Sequence, residues 1–470
     1  MKLPKSTIQM EARAMNSIPQ EQMQVETKIT DFLKEYGVGN LLYSVGARKT
    51  TGFAVLKIFA FVFGVLFTNR SAYMQMLLAG EKIAFHKDTL YRFLNSCHTN
   101  WRRFTILLAS RIISKTIEPL TSSERRNVFI IDDSFFSRSR SKKVELLAKV
   151  YDHAHGIYAN GYRMLTLGWS DGNSFLPLSY CQLSTENAAN RINEASSKID
   201  PRTSGGRQRK MAQQKATTVI LTLLKEAVAH HIPAKHVLFD TWFCSPSSLI
   251  AIKALGIDVI AMAKKSPKML YKINGIKQSA MQIYKQHRKR PGKSKYLLSV
   301  DAAVEKDGKS QPVRLVYVRN RNKKTEYLVL VTTDMTLSPE EIIQLYGKRW
   351  NIEVFFKVCK SYLRLEKDCR ALSYDAITAH TAIVFARYML FAVEERRSKD
   401  DRTIGELFYL CIDELADIKY QEALRLILVT LVELADSSVC ITSSSDMKML
   451  IQSFMNDLPE IWTNALKKCA

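Results

Sequence analysis

Leu345-Tyr-Gly-Lys-Arg-Trp-Asn-Ile-Glu-Val-Phe-Phe-Lys-Val-Cys-Lys360 sets one carboxylate among cations and aromatic rings. Ser338-Pro339 and the acidic pair Glu340-Glu341 precede it, which is how a helix N-terminus is written: a hydroxyl cap, proline in the first turn, acids near the positive end of the dipole. The spacing therefore predicts one long helix from Ser338 through Lys360. On a helix counted from Tyr346 at about 100° per residue, Arg349 falls at ~300°, Glu353 at ~340°, Lys360 at ~320° and Trp350 at ~40°. One face so carries a carboxylate, a guanidinium, an ammonium, a phenol and an indole, while Val354, Phe355 and Val358 spread elsewhere and anchor the helix. A solvated face with a Glu353–Lys357 pair explains the charges. It does not explain the interleaved rings, which suit a surface that stacks bases and neutralises phosphates.

Working outward, two short apolar runs end in aspartate. Val128-Phe-Ile-Ile131 runs into Asp132-Asp133, and Val237-Leu-Phe239 runs into Asp240. Both read as buried strands. Tyr162–Trp169 and Phe175–Leu183 read as a hairpin turning at Asp171-Gly172. Ala216–His230 and Ser248–Leu255 read as helices, Ile257–Met262 as a further strand, and the polar stretch 184–214 as a mobile loop with a basic run at Arg207, Arg209 and Lys210. The order describes a mixed sheet with helices packed on it. Aspartates at strand ends gather where such sheets build sites, and two of them together need a proton or a cation between them. Oxygen-only ligands favour Mg²⁺ or Mn²⁺ over zinc. Aspartate is also common at strand ends because turns follow, so this pair alone decides little.

Tyr346, Arg349, Glu353 and Lys360 match Tyr-x-x-Arg-x-x-x-Glu-x-x-x-x-x-x-Lys without a gap. Together with the order strand–Asp, strand–Asp, basic β-rich stretch, Glu helix, residues 126–392 resemble the insertion-sequence-4 family of DDE transposases. The resemblance implies an α/β, ribonuclease H-like mixed sheet with flanking helices and a β-rich insertion before the catalytic Glu helix, with helical N- and C-terminal regions. It implies that Asp133, Asp240 and Glu353 hold two Mg²⁺ ions, with Mn²⁺ as a substitute. Neighbouring strand residues point to opposite faces, so one of Asp132 and Asp133 reaches the ions; the family pattern, with a hydroxyl residue such as Ser134 next, favours Asp133. By the same resemblance Tyr346, Arg349 and Lys360 contact the DNA backbone near the cleaved end. Trp350 resembles a residue that stacks on a flipped base, its alternative being a core tryptophan. The implied reaction is cut-and-paste transposition on double-stranded DNA, through hairpin ends and a homodimer that pairs two transposon ends with a target. A structure-specific nuclease without joining, and a transposase-derived DNA-binding protein without catalysis, are the rivals.

Composition agrees with a nucleic-acid partner. The 470 residues carry a net charge of +24, which points to a polyanion. Met262–Met335 holds 18 Lys and Arg against 5 Asp and Glu, whereas Phe391–Ala470 holds 9 against 14. The division expected is a helical DNA-binding region over 1–119, a catalytic domain over 120–263 and 336–392, a basic β-rich insertion over 264–335, and an acidic helical region over 393–470, whose helices, including Ile404–Leu415 and Tyr420–Leu434, form either a dimer contact or an extra bundle on the catalytic core. Arg92, Arg102, Arg103 and Arg111 suit either a DNA-binding module or the solvated face of a helical bundle. The eight cysteines form no Cys-x-x-Cys pair, which argues against a zinc finger and fits a reducing cytoplasm; the resemblance implies that of a bacterium or archaeon, with the protein on the nucleoid. Met1–Gln20 lacks the apolar core of a signal peptide. Phe53–Phe67 is shorter than the roughly 20 residues of a membrane span and is interrupted by Lys57, so it reads as a buried helix and no membrane partner is expected.

Overall fold

The structure, a computed structural model, describes residues 27–397 apart from 50–51, 69–71, 80–84, 122–124, 154, 292–293, 321–322, 324–325 and 368. The first 26 residues of the expected N-terminal region and the proposed dimer contacts in the acidic tail lie outside the described residues. Six helices come first: α1 (27–35), α2 (Val38–Ser44), α3 (Val55–Val65), α4 (Ala72–Ala79), α5 (Lys87–Leu94) and α6 (Trp101–Ile112). The apolar run around α3 is a buried helix, as its length and Lys57 indicate: Ile58, Phe59 and Phe63 are sealed in the core. Two of the four arginines that suit either a DNA-binding module or a solvated bundle face are tied internally. The Arg111 guanidinium donates to the Tyr36 and Gly37 carbonyls, and Arg102 pairs with Glu226 at 2.8 Å.

Strands β1 (Val128–Ser137), β2 (Ala148–Asp152), β3 (Ile157–Ser170) and β4 (Phe175–Leu183) follow, then α7 (Ser204–Ala212), α8 (Ala216–Ala229), β5 (His236–Phe239), α9 (Pro246–Lys253) and β6 (Asp258–Met262). β3 runs antiparallel to β1 on one side and to β2 and β4 on the other, while β1, β5 and β6 are mutually parallel. The order β4-β3-β1-β5-β6, antiparallel on one flank and parallel on the other, is a ribonuclease H-like sheet. Its core strands are near-continuous apolar runs because helices cover both faces; Val128 through Ile131 and all of β4 are buried. The hairpin at Asp171-Gly172 forms as expected, with Gly172 at φ 104°.

The basic stretch contributes β7 (Leu270–Ile273), β8 (Ile276–Ser279), α10 (Ala280–Gln286), β9 (Leu298–Lys306), β10 (Lys309–Arg319) and β11 (Tyr327–Thr332). Asn274-Gly275 and Asp307-Gly308 hold both central residues at positive φ, the paired left-handed geometry of tight hairpins. β11 pairs antiparallel with β6, so these strands extend the same 11-stranded sheet.

Two expectations change. The long helix divides into α11 (Pro339–Gly347) and α12 (Trp350–Ser361). Gly347 is a poor helix former, and the Lys348 ammonium is drawn off to the Arg126 carbonyl at 2.6 Å and the Asp171 carbonyl at 3.2 Å. The amides of Lys348 and Arg349 then reach back only three residues, to Leu345 and Tyr346. Residues 184–214 are not a mobile loop throughout, since α7 lies among them. Arg209 of its expected basic run is buried, bonding Glu145 at 2.6 Å and Asp375 at 2.7 Å. Gly205 permits this approach, because a Cβ there would lie 2.2 Å from the Asp375 carboxylate.

Asp375 opens α13 (Tyr374–Arg397), a helix long and apolar enough to cross a membrane; 94% of its apolar window is nevertheless buried, packed on α6 and β4 as a core helix. Removing one partner of a buried ion network leaves the others uncompensated, at about 3–5 kcal/mol. Arg209→Met is expected to lower unfolding free energy by that amount in a urea titration. Arg202→Met, whose surface pair with Asp200 is screened by water, should change it little.

Candidate active site

β1 pairs with β5 only through Val128–Ile130, opposite His236–Leu238. Beyond that point β5 ends, and Asp240 follows it directly. β1 continues to Ser137, held by β3 along its whole length, so Asp132 and Asp133 lie within the strand and not at its end. The acids therefore sit where the parallel pair parts, Asp132 and Asp133 within β1 just past its last residue paired with β5 and Asp240 at the carboxyl end of β5, beside the split at which open α/β sheets bind ligands.

Helix α12 brings the third acid. Phe355 is fully buried, its ring 5.0 Å from Phe175 of β4, 5.0 Å from Phe385 and 4.8 Å from Tyr388 of α13. Glu353 stands about 200° around the helix from Phe355, so anchoring one turns the other away from α13. Arg349 joins helix to strand. One guanidinium nitrogen donates to Asp132 Oδ2 at 3.2 Å and another to Glu353 Oε1. The Tyr346 ring lies 5.9 Å from the same guanidinium, so the break between α11 and α12 keeps the face expected from one continuous helix. Lys360 donates to the Phe135 carbonyl of β1 and pairs with Glu366 at 3.0 Å. Trp350 is 61% exposed and is not a core tryptophan.

Asp132 and Asp133 diverge as strand alternation requires. Asp132 turns to Arg349. Asp133 turns to Arg163 of β3, whose Nε lies 2.5 Å from its Oδ2. Arg163, Trp242 and the part taken by Asp132 were not expected from the sequence. The one available signal was Trp242, an aromatic residue two places after an aspartate. Nη2 of Arg163 is buried with no hydrogen-bond partner among the described residues.

Burial pushes the Asp132 carboxyl up to about 7; Asp133 and Asp240 push the same way, and Arg349 opposes them. Burial and then Asp133 also raise Asp240, against the amide of Trp242, which donates to its Oδ1 at 2.9 Å, and against Arg349. Arg349 is raised despite its own burial, by Tyr346, Asp132 and Glu353. Among the described residues no three acids stand close enough to enclose a metal ion; two arginines lie against them instead. The chemistry of the donors still fits hard divalent cations: only carboxylate oxygens, two of them with burial and repulsion acting against their charge.

A family model described as DDE superfamily endonuclease matches residues 58–325, more than half the chain. The matched stretch includes Asp132, Asp133 and Asp240 and ends before Glu353. No curated protein matches the sequence. Among solved structures the chain is similar to a piggyBac transposase synaptic complex with hairpin DNA, determined by cryo-EM, with 13% identity and a TM-score of 0.39 over 92% of this chain and 77% of that one.

A carboxyl whose folded pKa is raised weakens the fold as pH climbs from its unfolded value, about 3.9, toward the folded one, because the unfolded chain releases its proton first. Wild type should lose stability across that window on account of Asp132. Asp132→Asn cannot titrate. In EDTA, its melting temperature relative to wild type is expected to rise between about pH 5 and about pH 7. A difference that stays constant over that range would contradict the environment described for Asp132.

Proposed function

The chain belongs to the DDE superfamily endonucleases, and from that premise we propose that it is a DNA transposase of the insertion-sequence-4 type, which cuts an element from one DNA site and joins it at another. The observation that carries the reading is Arg349, which ties Asp132 on β1 to Glu353 on α12, with Asp240 after β5 close enough for its charge to act on Asp132. Asp133, Asp240 and Glu353 would hold two Mg²⁺ ions, or Mn²⁺ in their place. Bound there, such ions activate the attacking oxygen and stabilise the leaving oxygen of a phosphodiester.

The protein's own groups have separable tasks in this reading. Asp133 and Asp240 bring negative charge to the mouth between β1 and β5. Asp132 is a positioning residue, which keeps Arg349 over Glu353. Arg349 and Arg163 neutralise the acids until ions and DNA arrive, and then face phosphate. Tyr346 and Lys360 flank the cut strand, and the exposed Trp350 ring is free to stack on a base. The double-stranded substrates are the ends of the element and its target, with two ends paired by a homodimer and closed as hairpins in passing. No covalent protein intermediate is needed, so Ser134 and the buried Cys244 have no nucleophilic part.

Full-length protein incubated with labelled DNA flanking its gene, a target plasmid and Mg²⁺ is expected to give excised and joined products, and none in EDTA. Asp133→Asn, Asp240→Asn and Glu353→Gln should each lower cleavage by about a thousandfold, the loss expected when several kcal/mol of transition-state stabilisation disappear. Asp132→Asn, acting through Arg349, should cost roughly tenfold. Cleavage without joined products would make the protein a nuclease only. Full-rate cleavage by Glu353→Gln would refute the site.

A further inference from the structure

A row of aromatic rings that does not include Trp350 runs from Trp242 to Tyr158. Trp242, two residues after Asp240, is 51% exposed. Its ring lies 6.0 Å from that of His153, His153 lies 4.9 Å from Tyr151, and Tyr151 lies 5.2 Å from Tyr158. Tyr151 and Tyr158 are cross-strand partners at the turn end of the β2–β3 hairpin, and Tyr158 is 73% exposed. All three contacts are edge-on, and an edge-on contact covers at most one face of a ring. Two cations attend the inner end. The Arg163 guanidinium is 5.2 Å and the Lys264 ammonium 5.7 Å from the Trp242 ring. Arg163 also holds Asp133, so the line of rings begins at the acids themselves.

Exposed rings in a row cost apolar surface left in water, and their contacts with one another cover only part of it. A purely apolar partner would have no use for the cations at Trp242. Duplex DNA keeps its base faces stacked inside the helix. An unpaired strand offers both things that this surface matches, open base faces for the rings and phosphates for the cations. We propose that Tyr158, Tyr151, His153 and Trp242 form a track for single-stranded DNA, along which bases unpaired beside the cleavage point leave the acidic site, with Arg163 and Lys264 on the phosphates. The proposal rests on the reading of the protein as a DNA-cutting enzyme and adds a second stacking surface, separate from Trp350.

The test compares, in EDTA, full-length protein binding a duplex with a single-stranded oligothymidine extension and the same duplex blunt, by fluorescence anisotropy. Wild type is expected to favour the extended duplex by about tenfold, a modest return for stacking one or two bases. Tyr158→Ala and Trp242→Ala should bring the ratio of the two affinities close to unity with unchanged circular dichroism, while Tyr158→Phe and Trp242→Phe preserve it. Wild type that binds both duplexes equally would overturn the track and leave the DNA-cutting reading standing. Wild type that binds neither would overturn both. Alanine variants that keep the preference, or that change sedimentation while keeping it, would show that the rings serve something other than DNA.

Discussion

Carboxylates crowded at one end of a sheet repel each other, and burial makes the repulsion worse. Arg163 pairs with Asp133, and Arg349 with Asp132 and Glu353, so cations offset the acids that gather beside Asp240. Each arginine is itself placed by a structural element of the sheet or its covering helices. Arg163 comes from β3, whose register with β1 sets it opposite Phe135, two residues from Asp133. Arg349 comes from the break between α11 and α12. The electrostatic balance of the site is therefore fixed by strand register and by one interrupted helix. The same guanidiniums that pair with the acids are suited to hold phosphate.

The rest of the architecture serves that placement. β1 and β5 part after three paired residues and leave an opening edged by acids. The Phe355 cluster seats α12 on β4 and α13, and the Arg209 network fixes the start of α13 to Glu145 in the connection between β1 and β2. The far end of α13 is tied as well: Arg396 reaches the fully buried Asp171 carboxylate at the β3–β4 turn, 3.0 Å away. Arg387, midway, donates to the Phe63 carbonyl of α3 at 3.0 Å, which binds the N-terminal helices to the same core. A mutation far from the acids can thus reach them through a short chain of buried contacts.

Much of this was legible in the sequence because the deciding signals were local. Apolar β-branched runs at 128–131 and 237–239, the turn pairs at 274–275 and 307–308, and the spacing from Tyr346 to Lys360 each depend on neighbours within a few residues. What escaped depended on distant partners. Nothing near Arg209 distinguishes it from Arg207 or Lys210, yet it finds Asp375 more than a hundred residues on and is buried there. Nothing near Lys348 shows that its ammonium will reach the carbonyls of Arg126 and Asp171. β1 outruns its apolar segment because β3 goes on pairing with it, which carries both aspartates inside the strand. Asp132 and Asp133 look equivalent in sequence, and only the positions of Arg349 and Arg163 give them different neighbours.

The central claim is that Asp133, Asp240 and Glu353 form one divalent-cation site once the arginines yield to ions. Anomalous diffraction from crystals of the protein bound to DNA and soaked with Mn²⁺ addresses it directly. The account predicts manganese density enclosed by those three carboxylates, with Arg349 displaced from Glu353. Manganese density at any other place, or Arg349 still on Glu353 with the three acids bare while the crystal holds the ion elsewhere, would contradict it.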